Sequence, residues 1–228
     1  MVLKARDRLK RLGLVAGLVI AGVLFAGGIA FAASETIVGQ IDDTFTAPTY
    51  HTDQGEVVPF QSTGNTHNAT ANQKGPDGKA LFRSATIDSG ITGVQGTQYL
   101  PAGTYSFFCT VHPTTMQATL IVDPNGTAQA RPSATVIVRS KKVAKVLKKG
   151  VQATINATTA VADTPVTVKL GKATLGKTTA SLAAGPQTVK VKLTKSGKSK
   201  LSKKSSAKVT VTAEIPFGSP ATAKAKLN

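Results

Sequence analysis

After position 33 apolar and polar residues alternate in short runs, and no stretch keeps a long helical period. In "TVKVKL" Val189, Val191 and Leu193 fall on one face with Lys190 and Lys192 opposite, the mark of a half-buried antiparallel strand. Similar runs are "ATVIV", "VQATINATT", "PVTVKL", "TASLA" and "AKVTVTAE" in the second half, and "TIVGQ", "TFTAPTYH", "EVVPFQS", "AGTYSFFC" and "ATLIV" in the first. Pro59 inside "EVVPFQS" predicts an edge strand or a bulge, because proline has no N–H to give a ladder. "KGPDGK" (Lys74 to Lys79) predicts a surface turn. "KKVAKVLKKG" predicts one short amphipathic helix, with Val143, Val146 and Leu147 inward and Gly150 ending it. "TKSGKSKLSKKSSAK" predicts a second Lys-rich connection of the same kind. Two consecutive β-sandwiches follow, an all-β chain with regular structure concentrated after its leader.

The leader is residues 1–33. "MVLKARDRLKRLG" carries five basic residues and one acidic residue, and an unbroken apolar run from Leu14 to Ala33 follows. "AFA" at its end has the small-x-small pattern of a signal-peptidase site, with cleavage after Ala32. The run is also long enough for an uncleaved membrane anchor. Both versions, a signal helix removed or one retained, place the rest outside the cytoplasm: extracellular or in the cell envelope. No cysteine stands directly after the run, which excludes a bacterial lipid anchor.

Charge divides the remainder. Residues 34–123 hold three Lys/Arg against eight Asp/Glu, a net of −5, and residues 124–228 hold twenty against two, a net of +18. Turn formers in "DPNGTAQARPS" mark the division. The expected organisation is a first domain over 34–123, a linker over 124–133 and a basic domain over 134–228.

The chain has one cysteine, Cys109, and three histidines, all in the acidic half. An exported thiol without a partner thiol is either inert in a core or bound to a metal. In "YSFFCTVHPTTM" Cys109 ends a strand, and His112 and Met116 lie in the loop that follows. A structural zinc site needs four strong ligands, and a single cysteine with few histidines falls short. Two imidazoles, one thiolate and a more distant thioether instead describe the trigonal blue-copper site. His67 in "STGNTHNATAN" is the candidate for the second imidazole. His51, in the strand-like "PTYHTDQGE", reads as a surface histidine.

"GNTHN", then "GPDGKALFRS", then "LPAGTYSFFCTVHPTTM" resembles the plastocyanin-like type I copper proteins, the cupredoxins. The resemblance covers about residues 35 to 123 and implies a Greek-key β-sandwich holding one copper ion at one end. By position it implies His67, Cys109, His112 and Met116 as ligands. It also implies that Asn68 ties the two ligand-bearing segments together, that Thr110 helps hold the loop, and that electrons pass through the edge of His112 to redox partner proteins. The gap of three between His112 and Met116 departs from the usual family spacing, so Gln117 stands as an alternative axial donor.

The basic half holds no cluster of His, Cys, Asp and Glu and no nucleophile with a base, so no enzyme is expected. It is similar to Lys-rich, immunoglobulin-like accessory domains of exported proteins. Adhesion to anionic cell-wall polymers or a membrane surface and service as a solubilising spacer are both consistent with its charge. Nucleic acid is not expected, since this half has two arginines and no tyrosine to stack on bases. The expected function is exported electron transfer by a Cu(II)/Cu(I) couple. The rival is copper storage, delivery or sensing. Three histidines are too few for the trinuclear centre of a multicopper oxidase.

Overall fold

A computed structural model describes residues 34–228; the expected leader, 1–33, lies outside the described residues. Fourteen strands and two short helices run in the order β1 (Ile37–Gly39), β2 (Thr49–Gln54), β3 (Val58–Ser62), β4 (Thr70–Ala71), β5 (Gly90–Val94), β6 (Gly103–Phe108), β7 (Gln117–Gly126), β8 (Ala134–Val138), α1 (Val143–Lys149), β9 (Val151–Ala157), β10 (Val161–Leu170), β11 (Ala173–Leu182), β12 (Gly185–Val191), α2 (Lys195–Ser202), β13 (Ala207–Ala213) and β14 (Ala221–Leu227). Among the described residues no helix is long and apolar enough to cross a membrane.

The first seven strands make two sheets, β1-β3-β5 and β2-β7-β6-β4. Alternation decides what lies between them: Val58 and Phe60 from one sheet, Phe107, Leu120 and Val122 from the other, are buried in one cluster. Phe107 is its aromatic centre, with Phe45, Tyr50 and Phe82 rings 5.0, 6.1 and 6.1 Å away. Burying a side chain of this size contributes about 1.5–3 kcal/mol. This pins β6, and with it the loop that β6 feeds.

The remaining strands make β12-β9-β8 and β11-β10-β13-β14, around a second core that includes Val151, Ile155, Val168, Val191, Val209 and Val211. The chain is thus a β-sandwich followed by a second β-sandwich. Both lysine-rich segments form short helices, the first with the inward positions that its periodicity predicts. α1 buries Val143 and Val146, leaves Leu147 partly buried, and stops at Gly150 (φ 82°), whose N–H donates to the Val146 carbonyl. Thr194 caps α2 by accepting the Gly197 N–H at 2.9 Å.

Two local expectations change, and one strand had no expectation at all. β3 is the central strand of its sheet, not an edge. Proline is tolerated there because β1 pairs only with Phe60–Ser62, so Pro59 has no neighbour on that side. The turn formers after Val122 do not end β7. It continues to Gly126 beside β2, with a register shift absorbed where Gln54 pairs Gly126 and with Asn125 Nδ2 donating to Asp53 at 3.1 Å. Finally, "ATAKAKL" forms β14, which its alanines do not announce.

Candidate metal centre

β6 and β7 pair down to Phe108–Gln117, and the Cys109–Met116 loop joins them. Two backbone bonds close that loop. The Cys109 N–H donates to the Met116 carbonyl at 3.0 Å, and the Met116 N–H donates to the His112 carbonyl at 3.0 Å. They bring the residues at the two ends of the loop together and turn His112 back over them. Cys109 and Met116 are both fully buried.

His67 arrives from the other side of the sandwich end. Its backbone exchanges two 3.0 Å hydrogen bonds with Ile87, and its side chain is fully buried. β1 packs on its ring through Gly39; a Cβ there would stand 3.1 Å from His67 Cβ, Cγ and Cδ2. His67 Nε2 lies 2.8 Å from the Gln40 carbonyl oxygen, which only accepts, so the proton sits on Nε2 and Nδ1 carries the free lone pair. That Nδ1 lies 4.0 Å from Cys109 Sγ.

His112 completes the group. One donor atom each from His67, Cys109 and His112 lie within 4.8 Å of one another. His112 Nδ1 is buried with no hydrogen-bond partner, while its Nε2 lies 3.4 Å from Asp43 Oδ1. Asp43 Oδ1 is also 3.8 Å from His67 Nε2, so one carboxylate faces the outer nitrogen of both imidazoles. An orphaned buried nitrogen, beside a buried thiol whose long contact is the only one among the described residues that reaches the His67 Nδ1 lone pair, is expensive unless a cation sits between them. The residues therefore fit a metal, and two imidazoles with a thiolate suit copper or zinc over magnesium or calcium. A buried thioether in the same loop favours copper.

The loop is tied to the His67 segment by one side chain. Asn68 Nδ2 donates to Thr110 Oγ1 at 2.6 Å, and Asn68 Oδ1 accepts the Thr110 N–H at 3.0 Å. This is the tie that the resemblance implies for Asn68 and Thr110. Gln117, the alternative axial donor, is exposed on β7 and donates its amide to the Pro113 carbonyl at 2.9 Å. Gln117 opens β7 facing away from the core, while Met116, the last residue of the loop before it, is fully buried. His51 stands apart, exposed on β2, 3.1 Å from Asp123. Gln40 and Asp43 were not legible in the sequence. A backbone carbonyl carries no residue signature, and Asp43 reaches the histidines only because β1 and the turn after it lie against His67.

No family model matches the chain, and no curated protein matches it. Solved structures do. A reduced tryptophan-to-tyrosine mutant of amicyanin is 26% identical, with a TM-score of 0.31, over 40% of this chain and 85% of that one. Amicyanin from Paracoccus versutus (Thiobacillus versutus) is 26% identical, with a TM-score of 0.31, over 39% of this chain and 82% of its own. A Cu(I) structure of a methionine-to-alanine mutant of amicyanin is 24% identical, with a TM-score of 0.31, over 40% and 85%.

Proposed function

We propose that the chain is an exported type I copper protein that carries single electrons between redox partner proteins. The observation that carries the reading is the buried, partnerless His112 Nδ1 within the cluster formed with Cys109 and His67. His67, Cys109 and His112 would hold copper, with Met116 as the weak fourth donor. Copper bound there supplies a Cu(II)/Cu(I) one-electron couple.

The protein's own part is to keep the donors still. Gln40 fixes the His67 tautomer, Asn68 fixes the loop, and the two backbone bonds hold Cys109 and Met116 at its closed end. Burial keeps water and oxidants from the thiol. The His112 side chain is 26% exposed, and is the one member of the cluster that reaches the surface. A partner therefore docks over His112, beside Pro113 and exposed Val111. Export rests on the leader's basic start, apolar run and "AFA" end, and the same reading divides the chain into a copper domain over 34–123 and a basic domain over 134–228.

Buried ligands favour a carrier over a delivery protein, which must release its metal. The test is a comparison of rates on one sample. Electron exchange with a small one-electron reagent should be complete within a stopped-flow trace, while transfer of Cu(I) to a competing chelator takes hours. Rapid metal transfer with slow electron exchange would reverse the assignment in favour of delivery.

A further inference from the structure

The second sandwich carries a pocket of about 280 Å³ where the end of α1 meets β12 and α2. Lys148 and Lys149 enter from α1, Lys190 and Lys192 from β12 and just beyond it, and Lys198 from α2. Leu147 and Leu193 form the apolar part of its lining. Gly150 lets α1 end there, since a Cβ at that position would stand 2.5 Å from the Val191 carbonyl oxygen.

Five like charges converge on this pocket without an acidic partner. Only Asp163 and Glu214 are acidic after position 124, and neither lines it. Among the described residues no ion pair involves a lysine. β12 is an edge strand, and lysines on an edge do block pairing with other chains. That accounts for Lys190 and Lys192 but not for three more delivered to the same place by two helices. Like charges so placed repel one another unless an anion lies between them.

We propose that this pocket binds a linear phosphodiester polyanion, its lysines taking successive phosphate groups. Three observations select that class. No aromatic side chain lines the pocket, and Phe217 is the only aromatic residue after position 124, so bases have nothing to stack on. Ile137 is the only large hydrophobic of this sandwich that is strongly exposed, at 52%, so it lacks the apolar face of a protein that inserts into a bilayer. The concave shape accepts a thin chain better than a flat lipid surface. The site is independent of the metal centre and more specific than attraction by summed charge.

The test is isothermal titration calorimetry of the full chain with soluble poly(glycerol phosphate), with phosphatidylglycerol vesicles as a second arm. Two triple variants remove equal charge: Lys190→Gln/Lys192→Gln/Lys198→Gln in the pocket, and Lys208→Gln/Lys224→Gln/Lys226→Gln on the exposed faces of β13 and β14. All six lysines are exposed, so both variants keep the fold. The pocket triple should weaken binding to the soluble chain about 10-fold or more. It should also flatten the slope of log K against log salt by about 2, near 0.7 for each phosphate that is no longer neutralised. The control triple should change affinity less than about threefold. Equal losses in both triples would overturn the pocket in favour of summed charge, and binding to vesicles alone would overturn it in favour of a lipid surface.

Discussion

Asn68→Ala cuts the tie between the His67 segment and the Cys109–Met116 loop. Asn68 is 2% exposed. Its Nδ2 donates to Thr110 Oγ1 at 2.6 Å and Thr86 Oγ1 at 2.9 Å, and its Oδ1 accepts from the Thr110 N–H at 3.0 Å and Thr70 Oγ1 at 3.1 Å. A hydrogen bond of this kind contributes about 1 kcal/mol net, and a stranded buried donor costs about 1–3 kcal/mol. The threonine hydroxyls rotate toward water or other acceptors and recover part of the loss. The Thr110 N–H is fixed by the backbone and recovers least. The expected cost is therefore about 2–3 kcal/mol, read from guanidinium unfolding of the metal-free protein so that metal binding does not enter. Thr110→Val removes one of the four bonds and should cost about 1 kcal/mol. The double variant should fall short of additivity by about 1 kcal/mol, because both single changes break the same bond. Copper affinity of Asn68→Ala should fall about 10-fold or more, as for other residues that orient ligands. A cost below about 0.5 kcal/mol, or strict additivity with Thr110→Val, would refute the tie.

Met116→Leu keeps three strong donors and should leave the protein blue with a higher reduction potential, since the thioether favours Cu(II); voltammetry checks it, and an unchanged potential removes Met116 from the site. Gln117→Ala should move neither spectrum nor potential, because the Gln117 amide is turned outward to Pro113. His51→Ala should likewise leave the copper spectrum unchanged, and loss of colour with intact circular dichroism would mean the ligand set is wrong. Asp43→Asn removes a negative charge 3.4 Å from His112 Nε2 and should raise the potential, most at low ionic strength where screening is weak. A fall in potential would mean that Asp43 acts through something other than its charge.

The candidate metal loop was legible because three of the four expected ligands, Cys109, His112 and Met116, lie within one short segment that begins at the end of a strand. His67 was marked by its polar segment far upstream of Cys109 and by the resemblance that "GNTHN" carries. What stayed hidden depends on how distant segments register. Pro59 reads as an edge residue, but edge status is set by where β1 stops, which nothing near Pro59 reveals. Asp123-Pro124-Asn125-Gly126 reads as a break, yet a parallel neighbour, β2, carries β7 through it with a bulge. The lysine pocket is similar: charge was plain in the composition, but Lys148, Lys149, Lys190, Lys192 and Lys198 come from three elements that only the fold assembles.

The type I centre stands or falls on the visible spectrum after one equivalent of Cu(II) is added to the protein, with Cys109→Ser measured in parallel. A Cys109 thiolate bound to Cu(II) in a trigonal site gives an intense blue charge-transfer band, which ascorbate should bleach and a mild oxidant restore. Cys109→Ser should stay essentially colourless. Stoichiometric Cu(II) binding without a blue band in the unmodified protein, or equal colour in Cys109→Ser, would contradict a type I centre at His67, Cys109 and His112.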